Sequence, residues 1–119
     1  MSDLPPDAAP ALDVLRSVGG DAMIATMMQT FLRFAEERVA KLDEELRSNR
    51  LAEVASIAHS LKSSARQLGA MALGEACAAT EVAGKGGDGG ATTAGVAAVR
   101  REFEAARPWM TRLATGASS

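Results

Sequence analysis

Hydrophobic residues recur at steps of three and four along most of this chain, which is the spacing of one face of an α-helix. The most regular stripe follows the positions Ile24, Met28, Phe31, Ala35, Val39, Leu42 and Leu46, and charged side chains occupy the opposite face. Comparable stripes run through residues 54–68, 73–83 and 96–113. Alternating runs of β-branched residues, which a half-buried strand would need, are lacking. The pattern therefore predicts four long amphipathic helices.

Glycine, proline and capping residues predict where these helices begin and end. Pro10 fits the first turn of a short leading helix, and the glycine pair 19–20 would end it. Asp21 is a good N-cap for the long helix that follows. Ser48 and Asn49 predict a tight connection, in which either side chain can cap the third helix.

The predicted helix that carries residues 73–83, the fourth when the short leading helix is counted, is rich in alanine. Its small side chains would let neighbouring backbones approach closely. Its expected inward residues are Leu73, Ala76, Cys77, Thr80 and Ala83. The glycine-rich stretch 84–90 predicts a flexible turn before the last helix. Pro108 lacks a backbone donor, so it should kink that helix or split off a final segment around Trp109.

The predicted fold is all-α, an antiparallel four-helix bundle with a short additional N-terminal helix. One helical domain would cover residues 10–114, with flexible tails at 1–9 and 115–119. A length of 119 residues suits one domain. A core of Ala, Leu, Val and Met, with only three Phe and one Trp, suits closely packed helices.

Net charge and the N-terminal sequence limit the binding partners and the cellular compartment that we expect for the protein. The net charge of −2, with both signs interspersed, provides no electrostatic footprint for nucleic acid and no basic face for an anionic membrane. No apolar stretch approaches membrane-spanning length, and the N-terminus lacks the pattern of a secretory signal. A single cysteine, Cys77, excludes an internal disulfide and suits a core position. We expect a soluble, cytoplasmic monomer.

The only histidine, His59, lies in the third predicted helix, about residues 50–67, but off its apolar stripe. At about 100° per residue the imidazole sits roughly 140° from the centre of that stripe, so we expect it to face outward. Lys62 and Arg66 lie on the same side of the helix. Small side chains surround the ring at Ala55, Ser56, Ser60 and Ser63. An exposed imidazole beside two cations is a nucleophile with anion-stabilising neighbours.

The segment 58–70 resembles the signature of histidine-containing phosphotransfer (HPt) domains, which is A-H-x-L-K-G followed five residues later by L-G. The matching residues are Ala58, His59, Leu61, Lys62, Leu68 and Gly69. The likeness extends over residues 15–113 and includes the segments 18–21 and 31–32. Where the family pattern has glycine after the lysine, this chain has Ser63, whose small side chain can hydrogen-bond the ring or a phosphoryl oxygen.

This resemblance implies that His59 takes a phosphoryl group from an aspartate of one response-regulator receiver domain and passes it to an aspartate of another. The residues implied to support the phosphoryl group are Lys62, Ser63 and Arg66. Those implied to let the receiver come close are Ala55, Ser56 and Ser60. The implied partners are receiver domains and a sensor (hybrid) histidine kinase. Mg²⁺ would be bound by the receiver, and no cofactor would be bound by this chain.

Two other interpretations stay open from the sequence. In one, the bundle is a non-phosphorylated helical interaction module that docks a receiver or another signalling partner. In the other, it is a fragment of an autokinase, although Ser60 stands where histidine-kinase dimerisation helices usually have an acidic residue. Because the motif supplies no nucleotide pocket, whether the chain counts as an enzyme is left open.

Two further kinds of site are disfavoured by the sequence. The stretch 84–90 contains Gly-Lys without a following Ser or Thr, so a phosphate-binding loop is not expected there. One histidine and one cysteine on different predicted helices give too few soft ligands for a metal site. The candidate chemistry therefore centres on His59.

Overall fold

The computed structural model describes residues 4–116. A single turn of 3-10 helix, Pro6–Ala8, precedes four α-helices, which are α1 (Ala9–Arg47), α2 (Leu51–Gln67), α3 (Met71–Lys85) and α4 (Gly89–Ala114). The helices pack in a ring, α1 on α2, α2 on α3, α3 on α4 and α4 on α1. Over the described residues no strand is present. The predicted all-α four-helix bundle is confirmed.

A backbone break at Gly20 divides α1 into a short leading segment and a long second one. Gly20 has φ 73° and ψ −172°, a conformation that residues with a Cβ rarely adopt. Across the break, Arg16 Nε donates a hydrogen bond to Oδ1 of Asp21 at 2.8 Å. The prediction that the glycine pair ends a short additional N-terminal helix is confirmed.

The core consists mainly of the predicted hydrophobic stripes. Its largest fully buried side chains include Leu12, Ile24, Met28, Leu42, Leu61, Leu73, Phe103 and Met110. On α3 the inward face differs from the prediction, because Glu81 and Gly84 are buried whereas Ala76 and Ala83 are only partly buried. This difference places a carboxylate between α2 and α3. Among the described helices, none is long and apolar enough to cross a lipid bilayer.

An ion pair, and not the predicted cap, stabilises the turn between α1 and α2. The N-cap position of α2 is Arg50, and its side chain makes no capping hydrogen bond, so the predicted cap by Ser48 or Asn49 is wrong. Arg50 instead donates to both carboxylate oxygens of Glu45, at 2.5 and 2.9 Å. Asn49 adopts a left-handed φ of 57°, which asparagine tolerates better than most residues.

The segment before α1 packs against the bundle. Ala8 is fully buried, and a Cβ added at Gly69 would lie 2.9 Å from the Ala8 carbonyl oxygen. Within the predicted flexible tail, residues 1–9, the structure places the 3-10 turn Pro6–Ala8 and the start of α1 at Ala9. Residues 1–3 lie outside the described part of the chain.

Within the glycine-rich stretch 84–90, where the sequence predicts a turn, the connection between α3 and α4 is confined to residues 86–88. α3 continues to Lys85, and α4 already begins at Gly89. The start of α4 is capped by Asp88, whose Oδ1 accepts a hydrogen bond from the backbone N–H of Ala91 at 3.0 Å. This cap fixes the helix start and leaves only a short connection between α3 and α4.

Pro108 does not divide α4, which runs unbroken over its whole length. Of the two predicted alternatives, a kink or a separate final segment, the separate segment is therefore wrong. Trp109 and Met110 are buried in the core, and this packing offsets the hydrogen bond that proline cannot donate. The predicted C-terminal tail, residues 115–119, begins with a hydrogen-bonded turn, and residues 117–119 lie outside the described part of the chain.

Candidate functional site

His59 stands on the outer face of α2, opposite a packed apolar face. Val54, Ala58, Leu61 and Ala65 are fully buried on the core side of the helix. The His59 side chain is 60% exposed. The ring faces outward, in agreement with the helical spacing, and a partner can therefore reach it.

Three side chains converge on the carboxylate of Glu81, which lies on α3 and is only 9% exposed. His59 Nδ1 lies 2.9 Å from Glu81 Oε2. Lys62 Nζ lies 2.7 Å from Oε1, and Lys85 Nζ lies 2.9 Å from Oε2. We call these four residues the Glu81 cluster. The partners stabilise the carboxylate, because an unpaired buried charge is costly.

The Glu81 cluster determines which nitrogen of His59 is free to react. Hydrogen bonds from Lys62 and Lys85 lower the pKa of Glu81 to about 2, against the opposing effect of burial. Glu81 is therefore ionised at neutral pH and can only accept hydrogen bonds. Nδ1 must then carry the hydrogen that it shares with Oε2, so the neutral ring has its lone pair on Nε2. The nucleophilic nitrogen is the one that points away from Glu81.

A groove between α2 and α3 opens next to the ring, with a volume of about 510 Å³. Its lining residues are Ala52, Ala55, Ser56, His59, Glu81, Gly84 and Lys85. Ala55 is only 2% exposed, so the prediction that it lies on the surface is wrong. The reason is the close approach of the helices, since a Cβ added at Gly84 would lie 3.0 Å from Ala55 Cβ.

The structure brings Lys62 into the site but not Arg66. The sequence predicts both as outward cations, whereas the Lys62 side chain is 20% exposed and binds Glu81. Arg66 packs its aliphatic stem over Gly74, where an added Cβ would lie 2.7 Å from Arg66 Cγ. This contact lies about two helical turns from the histidine.

Three serines near His59 on α2, Ser56, Ser60 and Ser63, are exposed. Ser56 lines the groove. Ser60 Oγ donates to the carbonyl oxygen of Ile57 at 3.0 Å, and Ser63 Oγ lies 3.5 Å from the carbonyl oxygen of His59. Both of these hydroxyls face the backbone of their own helix, so neither restricts the ring.

Glu81 and Lys85 are the residues that sequence reasoning missed. A usable signal for Glu81 is its spacing, because it lies eight residues after Leu73 and four after Cys77, two of the residues predicted to face inward. A carboxylate at an inward position needs a donor from a neighbouring helix. Lys85 follows one turn later, and this spacing favours an ion pair with Glu81. Among residues 4–116, no group of three or more His, Cys, Asp or Glu side chains could hold a metal ion.

The family model of the Hpt domain matches residues 26–109, which is most of the chain. The chain belongs to the Hpt domain family. Hpt domains act in the histidine phosphotransfer of two-component signalling, together with receiver domains and kinases. The family membership agrees with the resemblance in the segment 58–70.

Two solved structures share the fold of this Hpt domain. The crystal structure of histidine-containing phosphotransfer protein B (HptB) from Pseudomonas aeruginosa PAO1 superposes with a TM-score of 0.85 at 24% identity, covering 92% of this chain and 96% of that one. The X-ray structure of a rice protein, described as a histidine-containing phosphotransfer protein, gives a TM-score of 0.75 at 15% identity, with 95% and 80% covered. No curated protein sequence matches the chain significantly.

Proposed function

We propose that this Hpt domain is a phosphorelay intermediate, in which His59 Nε2 accepts a phosphoryl group from the aspartate of one receiver domain and donates it to another. The observation that carries the proposal is the outward imidazole, whose Nδ1 is bound to an ionised Glu81. This arrangement leaves a lone pair on the exposed nitrogen, as a nucleophile requires. A sensor (hybrid) histidine kinase would supply the phosphoryl group to the first receiver.

Acceptance of the phosphoryl group breaks one P–O bond and forms one P–N bond. The Nε2 lone pair attacks the phosphorus of the aspartyl phosphate, and the aspartate carboxylate leaves with the electron pair of the P–O bond. The Nδ1 hydrogen stays on the ring, so the phosphorylated ring is cationic. The carboxylate of Glu81, 2.9 Å from Nδ1, compensates that charge. Donation to a second receiver reverses the same step.

The chain would provide half of the reaction centre. Phosphoryl transfer passes through a loose transition state with charge spread over the equatorial oxygens, so catalysis depends on positioning and on nearby cations. The receiver would supply the aspartate and its Mg²⁺. The small, exposed side chains of Ser56 and Ser60 leave room for the receiver beside His59.

The test is transfer of a radiolabelled phosphoryl group from phosphorylated receiver domains to the purified chain. We expect the parent to gain one acid-labile label and His59→Gln to gain none. Glu53→Gln, an exposed change at the start of α2, serves as the matched control and should label like the parent. Labelling of His59→Gln at the parent level would overturn the proposal. Receivers that bind the parent without ever labelling it would favour the non-phosphorylated interaction module.

A further inference from the structure

We propose that Lys85 is a second phosphoryl-binding cation, which leaves Glu81 and contacts the phosphoryl oxygens when His59 is phosphorylated. This inference deepens the proposed function and rests on it. Lys85 lies 26 residues after His59, on a different helix, and so falls outside the histidine motif. Its ammonium group nevertheless binds the same carboxylate oxygen, Oε2, that faces Nδ1 of the imidazole.

The charge of the Glu81 cluster gives the first reason. Glu81 and Lys62 form an ion pair whose charges cancel, and that pair alone offers no net attraction to an incoming phosphoryl group. Lys85 makes the cluster cationic by one charge while the ring is neutral. A phosphoryl group carries close to two negative charges near neutral pH, so the cation favours its arrival.

Exposure indicates which lysine is free to move. The Lys62 side chain is 20% exposed and holds Oε1, the carboxylate oxygen that does not face the ring. The Lys85 side chain is 68% exposed and reaches Glu81 from the rim of the groove. A lysine carries three donors on a flexible four-carbon stem, so Lys85 can exchange one oxygen partner for another with little desolvation.

Competition for Oε2 provides a reason for the exchange. In the unphosphorylated chain, Oε2 accepts from both the neutral ring and Lys85. Once Nε2 carries a phosphoryl group the ring is cationic, and its Nδ1–H bond to Oε2 becomes charge-assisted and stronger. The ion pair between Oε2 and Lys85 therefore weakens when the anionic phosphoryl oxygens arrive beside the groove.

The cations and hydroxyls expected from the sequence are less well placed for this role. Arg66 packs over Gly74, away from the groove. Ser63 Oγ faces the backbone carbonyl of its own helix. Lys85 lines the groove together with His59, and among residues 4–116 no other cationic side chain lines it.

The test uses phosphoramidate, a small phosphoryl donor that does not depend on a receiver. Labelling of the full chain is followed by ³¹P NMR in the parent, Lys85→Gln, Lys85→Arg and the exposed-lysine control Lys41→Gln. We expect Lys85→Gln to accept the phosphoryl group roughly tenfold more slowly, the effect of losing one charge-assisted hydrogen bond. Lys85→Arg should approach the parent rate, and Lys41→Gln should match it.

Two further measurements separate contact with the phosphoryl group from a purely structural role. In Lys85→Gln the midpoint of the ³¹P titration of the phosphoryl group should move to higher pH, because its dianionic form loses a cation. The ¹⁵N NMR signature of His59 should still show the Nδ1–H form, because Lys62 remains bound to Glu81.

The outcomes that overturn the inference are distinct from those that overturn the proposed function. Lys85→Gln behaving like Lys41→Gln in both rate and titration would overturn the role of Lys85. So would a Lys85→Arg variant as slow as Lys85→Gln, since the role depends on charge. Failure of receivers to label the parent, with phosphoramidate labelling intact, would overturn the proposed function alone.

Discussion

Gly84 on α3 faces the backbone of Leu51 on α2 so closely that an added Cβ would lie 2.7 Å from the Leu51 carbonyl oxygen. Because α2 and α3 are this close together, a side chain of α3 can reach a side chain of α2. Glu81, one turn before Gly84, thereby meets the ring of His59. The candidate site depends on a glycine that makes no contact with the reacting atoms.

Replacement of Gly84 tests this dependence. Alanine is normally the better helix former by about 1 kcal/mol, but the added Cβ would force α2 and α3 apart. We expect Gly84→Ala to lower the free energy of unfolding by about 1–3 kcal/mol, as overpacking usually does. The measurement is urea denaturation. Gly90→Ala is the matched control, because its Cβ would meet only Asp88 Oδ1, at 3.7 Å. Equal stability of the two variants would contradict the close approach.

Two substitutions of Glu81 separate its charge from its hydrogen bond. Glu81→Gln keeps an oxygen that can accept from Nδ1, whereas Glu81→Ala removes it. We expect ¹⁵N NMR of His59 to show the Nδ1–H form in Glu81→Gln and a mixture of the two neutral forms in Glu81→Ala. The rate of phosphoryl acceptance should fall on the order of tenfold in Glu81→Ala. The reason is that, in part of the molecules, the neutral ring then carries its hydrogen on Nε2, which leaves that nitrogen without a free lone pair. An unchanged spectrum in Glu81→Ala would remove Glu81 from the positioning of the ring.

Acid should destabilise the chain partly through Glu81. The folded pKa of this carboxyl is about 2, below its usual value of 4.5, so between these values the unfolded chain binds a proton that the folded chain does not. Its stabilisation is therefore complete above about pH 4.5 and is lost as the pH falls toward 2. As the pH is lowered across that window, the unfolding temperature of the parent should fall more steeply than that of Glu81→Gln. Parallel pH curves for the two proteins would show that the ion pairs of Glu81 do not stabilise the fold.

Cys77 should be chemically inert in the folded chain. It is fully buried, and burial raises the pKa of its thiol to about 12. The thiolate, which is the reactive form, is therefore scarce at neutral pH. We expect iodoacetamide at about pH 8 to leave Cys77 unmodified in buffer and to alkylate it fully in denaturant, as followed by mass spectrometry. Rapid alkylation in buffer would contradict its place in the core.

Ser63 occupies the position at which the family pattern has glycine, and it should be replaceable. Its hydroxyl is exposed and lies 3.5 Å from the carbonyl oxygen of His59, which is a weak contact. We expect Ser63→Gly to transfer the phosphoryl group at the parent rate and to lose up to about 1 kcal/mol of stability, because glycine disfavours a helix interior. A marked loss of transfer at parent-like stability would assign the hydroxyl a direct role.

The helices and the outward direction of His59 follow from the sequence, because both depend on local periodicity. A helix turns by about 100° per residue, so the burial of Ala58 and Leu61 already implies that the neighbouring ring points away from the core. The end of the short leading helix at Gly20 is local as well, because only glycine readily adopts its φ of 73°. Such features need no knowledge of the neighbouring helices.

Tertiary structure decided what surrounds the ring. The burial of Ala55, the reach of Lys85 and the placement of Glu81 beside His59 all depend on how α3 is rotated and how closely it approaches α2. The two faces of an alanine-rich helix differ little in hydrophobicity, so the periodicity of its sequence does not determine that rotation. The contact between Gly84 and Leu51 does determine it, because steric fit between two helices is a property of the pair and of neither sequence segment alone.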